Sequence, residues 1–227
     1  MAHDWNALLT DATTTFARLV AESDPAAAVP TCDEWCVADL VEHVAGVHQW
    51  ARHAVLAGTP EGVPEEAPTD LSQLSQWYAD HAGDLVETLR DTPADAEAWT
   101  FGRGRGTAGW WHRRQTHEVV VHTYDLLTAL KRQHEWTVAA DLAWDGVLEA
   151  IEVFYPRQVR LGRCDPLPGT LRMRATDVPD APQAVLGDQK PVVDTSGPAA
   201  ETLLEIWHRR PSTDVEVASL LQHAVTP

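Results

Sequence analysis

The chain has 227 residues, 44% of them hydrophobic and 22% charged, with a formal net charge of −17 at pH 7. That length allows one large or two small domains with a real core, and the acidity, without any Lys/Arg cluster beyond isolated pairs, argues against nucleic acid or an anionic membrane as partner. Three cysteines (Cys32, Cys36, Cys164) make no disulfide framework, and without a signal peptide or long apolar run the chain is expected to be cytoplasmic.

In chain order, the first predicted helix runs from His3 to Glu22, with Trp5, Leu8, Leu9, Ala12, Phe16, Leu19 and Val20 at helical spacing. Ser23-Asp24-Pro25 breaks it. A second helix is expected from Cys36 to Ala57, on which His43, Val47 and Trp50 share one face and set an imidazole beside core residues. Thr59 to Pro68 reads as a loop. Thr69-Asp70 can cap a third helix carrying Leu71, Leu74, Trp77, Tyr78, His81, Leu85 and Leu89, which ends before Pro93.

The loop Phe101 to Gly106 feeds the stretch around which the chain is organised, Thr107 to Leu130. Thr107 is a candidate N-cap, and nothing after Gly109 interrupts a helix of about six turns. Trp111, Arg114, Glu118, His122 and Asp125 are spaced three or four apart and form one stripe. Val119, Val120, Val121, Leu126, Leu127 and Leu130 occupy the rest of the circumference, the pattern of a buried helix. Buried ionisable groups cost several kcal/mol each unless paired or metal-bound, so the stripe is expected to wall a polar site inside a bundle. Four amphipathic helices in succession argue for such a bundle.

Beyond Glu135 the texture changes. Asp141 to Tyr155 reads as helix, Thr170 to Arg174 as strand, Pro198 to Arg209 as helix and Asp214 to Ala218 as a last strand. The expected fold class is α+β: a helical bundle over residues 1–135 followed by a small α+β domain over 136–227.

Glu118 and His122, at i and i+4, can meet one metal ion, and His43 on a facing helix would complete a set of three with an open fourth position. The spacing alone is a weak signal, and a lone His43 equally suits a hydrogen-bonded core histidine. His48, His53, His112 and His117 fall off the ligand faces and are expected at the surface or the core edge. Arg103 and Arg105 lie in a glycine-rich loop before a helix N-terminus, a place that favours anions, although a solvated loop would look the same.

Two segments carry a family resemblance. TCDEWCVADLVEHVAGVHQW (Thr31 to Trp50) has a tryptophan, a helix start, Asp-Leu, and a histidine eight residues after the tryptophan. WWHRRQTHEVVVHTYD (Trp110 to Asp125) has tryptophan and arginine before His-Glu, three residues, His, then Asp. Together they resemble the mycothiol-dependent maleylpyruvate isomerase family of DinB/YfiT-like metal-binding bundles. Thr195 to Pro211 is similar to the Gly-Pro-Ala helix of that family's small sterol-carrier-like C-terminal domain.

The resemblance implies zinc, or another divalent first-row ion, on His43, Glu118 and His122, with mycothiol as thiol cosubstrate. A thiolate at such a centre would attack a small electrophile, in a maleylpyruvate-type cis–trans isomerisation or an S-transfer. Arg114, Arg103, Arg105 and Trp111 are the candidates for the substrate end; Arg114 would either orient Glu118 or meet a substrate carboxylate. Asp125 would fix a ligand histidine from behind. Rival readings are a hydrolase using zinc-bound water and a non-catalytic metal- or small-molecule-binding bundle; the expected assembly is a monomer or homodimer.

Two departures from the family stand out. Cys36 replaces the usual Ser or Thr cap, and is either a small half-buried residue or a thiol whose place at a helix N-terminus favours thiolate. The chain also ends soon after Val217, where relatives often carry a further helix, so a trimmed C-terminal domain is expected.

Overall fold

The computed structural model describes residues 3–102, 106–223 and 225–227. It divides into two compact units, Met1–Trp136 and Thr137–Pro227.

In the first unit α1 spans Trp5–Ala21, opened by the Asp4 carboxylate accepting from the Ala7 N–H at 3.1 Å. Helix α2, Val37–Ala57, begins after Cys36, whose backbone N–H donates to Asp39 Oδ2 at 2.8 Å. It stops at Gly58, which takes the left-handed conformation (φ 70°) that only glycine enters without a Cβ penalty. A 3-10 turn at Leu71–Gln73, capped by Asp70, leads into α3, Leu74–Asp91.

Helix α4 spans Ala108–Ala129. Thr107 stands at its N-cap position but makes no side-chain cap bond. Instead Ala108 and Gly109 N–H donate to the carbonyls of Ala96 and Ala94 at 3.0 and 2.8 Å, so tertiary backbone satisfies the first turn. A Cβ on Gly109 would come within 2.9 Å of the Ala94 carbonyl oxygen, which explains the glycine.

Helices α3 and α4 both pack on α1 and α2, and also touch each other. The four make a bundle whose core includes Leu9, Phe16, Leu40, Val44, Leu85, Trp111, Val119 and Leu126. Helix α4 is buried on nearly every face, polar residues included.

The second unit opens with α5, Ala140–Glu149, which runs through a π-helical stretch, Ala150–Phe154, into α6, Tyr155–Arg160. The helix therefore passes Pro156 rather than ending there. Proline at the first positions of α6 needs no i→i−4 donor where the wider turn has already broken that ladder. Strands β1 (Thr170–Ala175), β2 (Ala184–Leu186) and β3 (Val192–Gly197) form a sheet in the order β2-β1-β3. β1 is antiparallel to β2, with Leu171 opposite Leu186, and parallel to β3, with Met173 opposite Thr195. Helix α7, Ala199–Ile206, follows Pro198.

The expected last strand at Asp214 to Ala218 is instead the start of a helix, α8, Val215–Leu221. The Asp214 carboxylate accepts from Glu216 and Val217 N–H at 2.9 and 3.2 Å, and Val217, Leu220 and Leu221 share the buried face. N-capping overrides the strand preference of two valines.

Candidate metal centre

Among the described residues, two groups of side chains could hold a metal ion: His43, Glu118 and His122, and Cys32, His122 and Asp125. Within each group one ligating atom per residue lies within 4.8 Å of the others.

The first group is the one expected from sequence, and α2 and α4 bring it together. His43 Nε2 is 3.2 Å from Glu118 Oε1, and His122 Nε2 is 3.4 Å from that same oxygen. The two imidazoles meet edge to face with centroids 5.1 Å apart. The His43 side chain is 37% exposed, against 8% for His122 and 11% for Glu118, so the group opens to solvent on the His43 side.

Each buried member has its second polar atom anchored elsewhere. Glu118 Oε2 accepts from Arg114 Nη2 at 2.7 Å, and Arg114 is buried. His122 Nδ1 is 2.8 Å from Asp125 Oδ2, while Asp125 Oδ1 accepts from the Thr31 hydroxyl at 2.6 Å. The fixed atoms leave Glu118 Oε1 and both Nε2 atoms turned to a common point.

Charge follows from these contacts. Burial opposes ionisation of Glu118, but Arg114 and the two imidazoles outweigh it and hold its carboxyl well below the usual range. Burial likewise opposes the charged form of His122, yet its bonds to Asp125 and Glu118 raise its pKa to about 9. Without an ion, a proton on His122 supplies the positive charge this donor set calls for; a metal would take the proton's place. The set therefore fits a divalent cation by its chemistry.

Of the expected substrate residues, Arg114 holds Glu118, the first of its two readings. Trp111 is fully buried and donates its indole N–H to the Trp99 carbonyl at 2.6 Å, so it belongs to the core rather than to an open pocket. Arg103 and Arg105 lie outside the described residues. A cavity of about 390 Å³ opens beside His43, bounded by Glu42, Val47, Trp50, Pro64, Glu65 and Glu66.

The remaining histidines correct the expectation. His48 is fully buried, with Nδ1 2.7 Å from Gln115 Oε1 and Nε2 3.3 Å from the Tyr78 hydroxyl. His112 and His117 are buried as well, and only His53 is peripheral, bonding Thr59 at 3.1 Å. For His112 and His117 the cause is α4 itself, which is covered on nearly every face, so lying off the ligand stripe did not place them in solvent. Cys36 belongs to neither metal-binding group, whereas Cys32 does. No local pattern marks Cys32: it lies some ninety residues from the histidine it approaches, on an irregular loop.

Residues 7–127, more than half of the chain, match the family described as the mycothiol maleylpyruvate isomerase N-terminal domain. The chain is similar to the crystal structure of a mycothiol-dependent maleylpyruvate isomerase (TM-score 0.63) and to that of a histidine-to-alanine mutant (TM-score 0.61). Both are 14% identical, with 89% of this chain and 87% of the other covered. That identity supports the fold alone. No curated protein matches by sequence.

Proposed function

Because this chain belongs to the mycothiol-dependent maleylpyruvate isomerase family, we propose that it is an enzyme in which His43, Glu118 and His122 hold a divalent ion, zinc in the first instance, and which uses mycothiol on a small electrophile. The observation that carries this reading is the convergence of three ligating atoms from two helices within 4.8 Å, next to a solvent-facing cavity. A bound ion would favour the thiolate of a small thiol, and that sulfur would supply a nucleophile for an electrophilic carbon, as cis–trans isomerisation of an activated double bond or S-transfer requires.

The chain's own residues give that centre its shape. Arg114 keeps Glu118 ionised and turned so that Oε1 faces the two imidazoles. Asp125 holds His122 by Nδ1 and leaves Nε2 for the ion. Trp35 packs against the His43 ring, with centroids 5.0 Å apart, and limits its rotation. The cavity beside His43 gives a thiol-bearing molecule a way in.

Metal analysis combined with thiol consumption against α,β-unsaturated acids and epoxides tests the proposal. One equivalent of ion and strict dependence on thiol are expected, with His122→Ala losing both ion and turnover. Turnover undiminished without any small thiol would reject the thiol reading, and His122→Ala retaining its metal would reject the ligand set.

A further inference from the structure

His122 stands between two carboxylates, and each carboxylate has a third donor beside it. On one side His122 Nε2 is 3.4 Å from Glu118 Oε1, with His43 Nε2 3.2 Å from that oxygen. On the other side Nδ1 is 2.8 Å from Asp125 Oδ2, and the Cys32 sulfur lies within 4.8 Å of a ring nitrogen of His122 and a carboxylate oxygen of Asp125. Thr31 Oγ1 donates to Asp125 Oδ1 at 2.6 Å and leaves Oδ2 to the imidazole. The loop carrying Cys32 is held by its own backbone, Cys32 N–H to the Val29 carbonyl at 3.0 Å and Val29 N–H to the Trp35 carbonyl at 2.9 Å. Cys32 is half-buried, so this group too is reached from solvent.

Thiolate, imidazole and carboxylate make a zinc-type donor set. The sulfur adds a preference for thiophilic ions that the group at His43 lacks. Donors around one tetrahedral ion, with bonds of about 2.0–2.3 Å, lie about 3.3–3.6 Å apart. Nδ1 and Oδ2, at 2.8 Å, need to part by about 0.5 Å, and a sulfur at most 4.8 Å away needs to approach by about 1 Å, within reach of side-chain rotation. A neutral imidazole has one lone pair to give and one N–H to keep. With an ion on Nδ1, the Nε2 proton faces Glu118 Oε1; with an ion on Nε2, the Nδ1 proton faces Asp125 Oδ2. Each tautomer of His122 thus finds a carboxylate for its proton and a donor group for its lone pair.

We propose that Cys32, His122 Nδ1 and Asp125 Oδ2 form a second metal seat, separate from the one at His43, Glu118 and His122 Nε2, which takes thiophilic divalent ions such as cadmium and excludes an ion from the first seat while it is filled. The second seat stands on its own geometry; the exclusion rests on the ligand set proposed above. As the ion enters, the Cys32 S–H and His122 Nδ1–H bonds break, both protons leave to solvent, and bonds from sulfur and nitrogen to the ion form. Nothing is oxidised or reduced. An ion there withdraws His122 from the centre that serves the small thiol, so a thiophilic ion acts on this chain as an inhibitor that binds behind the centre rather than in it.

The test adds one equivalent of cadmium(II) to the metal-free, full-length protein in buffer without small thiols. Thiolate coordination appears as a sulfur-to-cadmium charge-transfer band in the ultraviolet. The band is expected in the natural protein, in Cys36→Ser and in His43→Ala, because neither residue belongs to the second seat. Cys32→Ser should lose the band yet keep its cadmium, now in the first seat, and the double variant Cys32→Ser/His43→Ala should lose the cadmium as well. Cadmium bound to the natural protein without the band overturns the inference, as does a band that persists in Cys32→Ser or disappears in His43→Ala. Cys32→Ser that binds no cadmium removes the first ligand set and leaves the second seat standing. A natural protein that binds no cadmium removes both. Should Cys32→Ser not fold, a band kept in both Cys36→Ser and Cys164→Ser assigns it to Cys32, and a band lost in either overturns the inference.

Discussion

Trp50 and Trp111 meet edge to face, their ring centroids 5.4 Å apart and their planes at 82°. His43 lies seven residues before Trp50, and Glu118 seven residues after Trp111. On two antiparallel helices those equal offsets, about 10 Å each along the axes, carry the aromatic contact straight to the metal ligands. His48 bonded to Gln115 is a further contact between the two helices, two residues out of that pairing. The tryptophan pair, reinforced by Phe101 against both Trp50 and Trp110, sets the relative height of α2 and α4. It thereby decides which residue of α4 faces His43.

Trp111→Ala should cost about 3–5 kcal/mol of stability, the range for emptying a buried aromatic site. It should also weaken metal binding although Trp111 touches no ligand atom. Urea unfolding paired with metal stoichiometry checks this, and a destabilised variant with unaltered metal affinity would show that the register does not depend on the aromatic pair.

Asp125→Asn preserves volume but removes the charge behind His122 Nδ1. Loss of such a partner typically lowers metal affinity by about 10–100-fold. Competition against a chromogenic chelator measures it, with Thr31→Val expected to act in the same direction but more weakly, since it removes one bond to Asp125. Unchanged affinity in Asp125→Asn would mean that His122 is oriented by packing alone.

Arg114→Leu takes from the buried Glu118 carboxylate the guanidinium bonded to its Oε2. Removing one partner of such a pair costs about 3–5 kcal/mol. A divalent ion replaces the missing positive charge, so saturating zinc should restore more stability to this variant than it adds to the natural protein. At a hundredfold excess over the dissociation constant, the ligand's contribution is about 2.7 kcal/mol. Equal metal-induced shifts in the two proteins would argue against Glu118 as a ligand.

His48 supplies a pH dependence through burial, with Glu118, His43 and His81 also acting on its charge. Burial lowers its pKa from 6.5 to about 4, partly opposed by its bond to Gln115. Below pH 6.5 the unfolded chain binds a proton that the folded chain refuses, so stability falls as the pH drops from 6.5 towards 4. The loss between pH 7.5 and pH 5 is about 2 kcal/mol from this group. Urea unfolding at the two pH values should give a smaller difference for His48→Gln, and an identical difference would show that His48 is not the group responsible.

Much of the first unit was written in local pattern. The helix at Trp5–Ala21 and the run of α4 from Ala108 follow from apolar spacing, because burying one face or all faces of a helix leaves a periodic trace. The stripe Arg114-Glu118-His122-Asp125 could be aligned for the same reason: i,i+4 neighbours touch whatever the tertiary fold. Local pattern misled at Asp214, where a cap outweighed β-branched residues, and at Pro156, where a π turn let a helix continue.

What the amino-acid order determined by itself was a set of helices and the ligands lying along one of them. Tertiary structure alone decided that His43 meets Glu118, that His48 and His117 are buried rather than peripheral, and that Cys32 rather than Cys36 comes near His122 and Asp125. The physical reason is that contacts between residues seventy to ninety positions apart depend on helix register and loop path. Register comes from side-chain packing such as Trp50 on Trp111, and the path of the Thr31 loop from hydrogen bonds to α4; neither leaves a periodic trace in the chain.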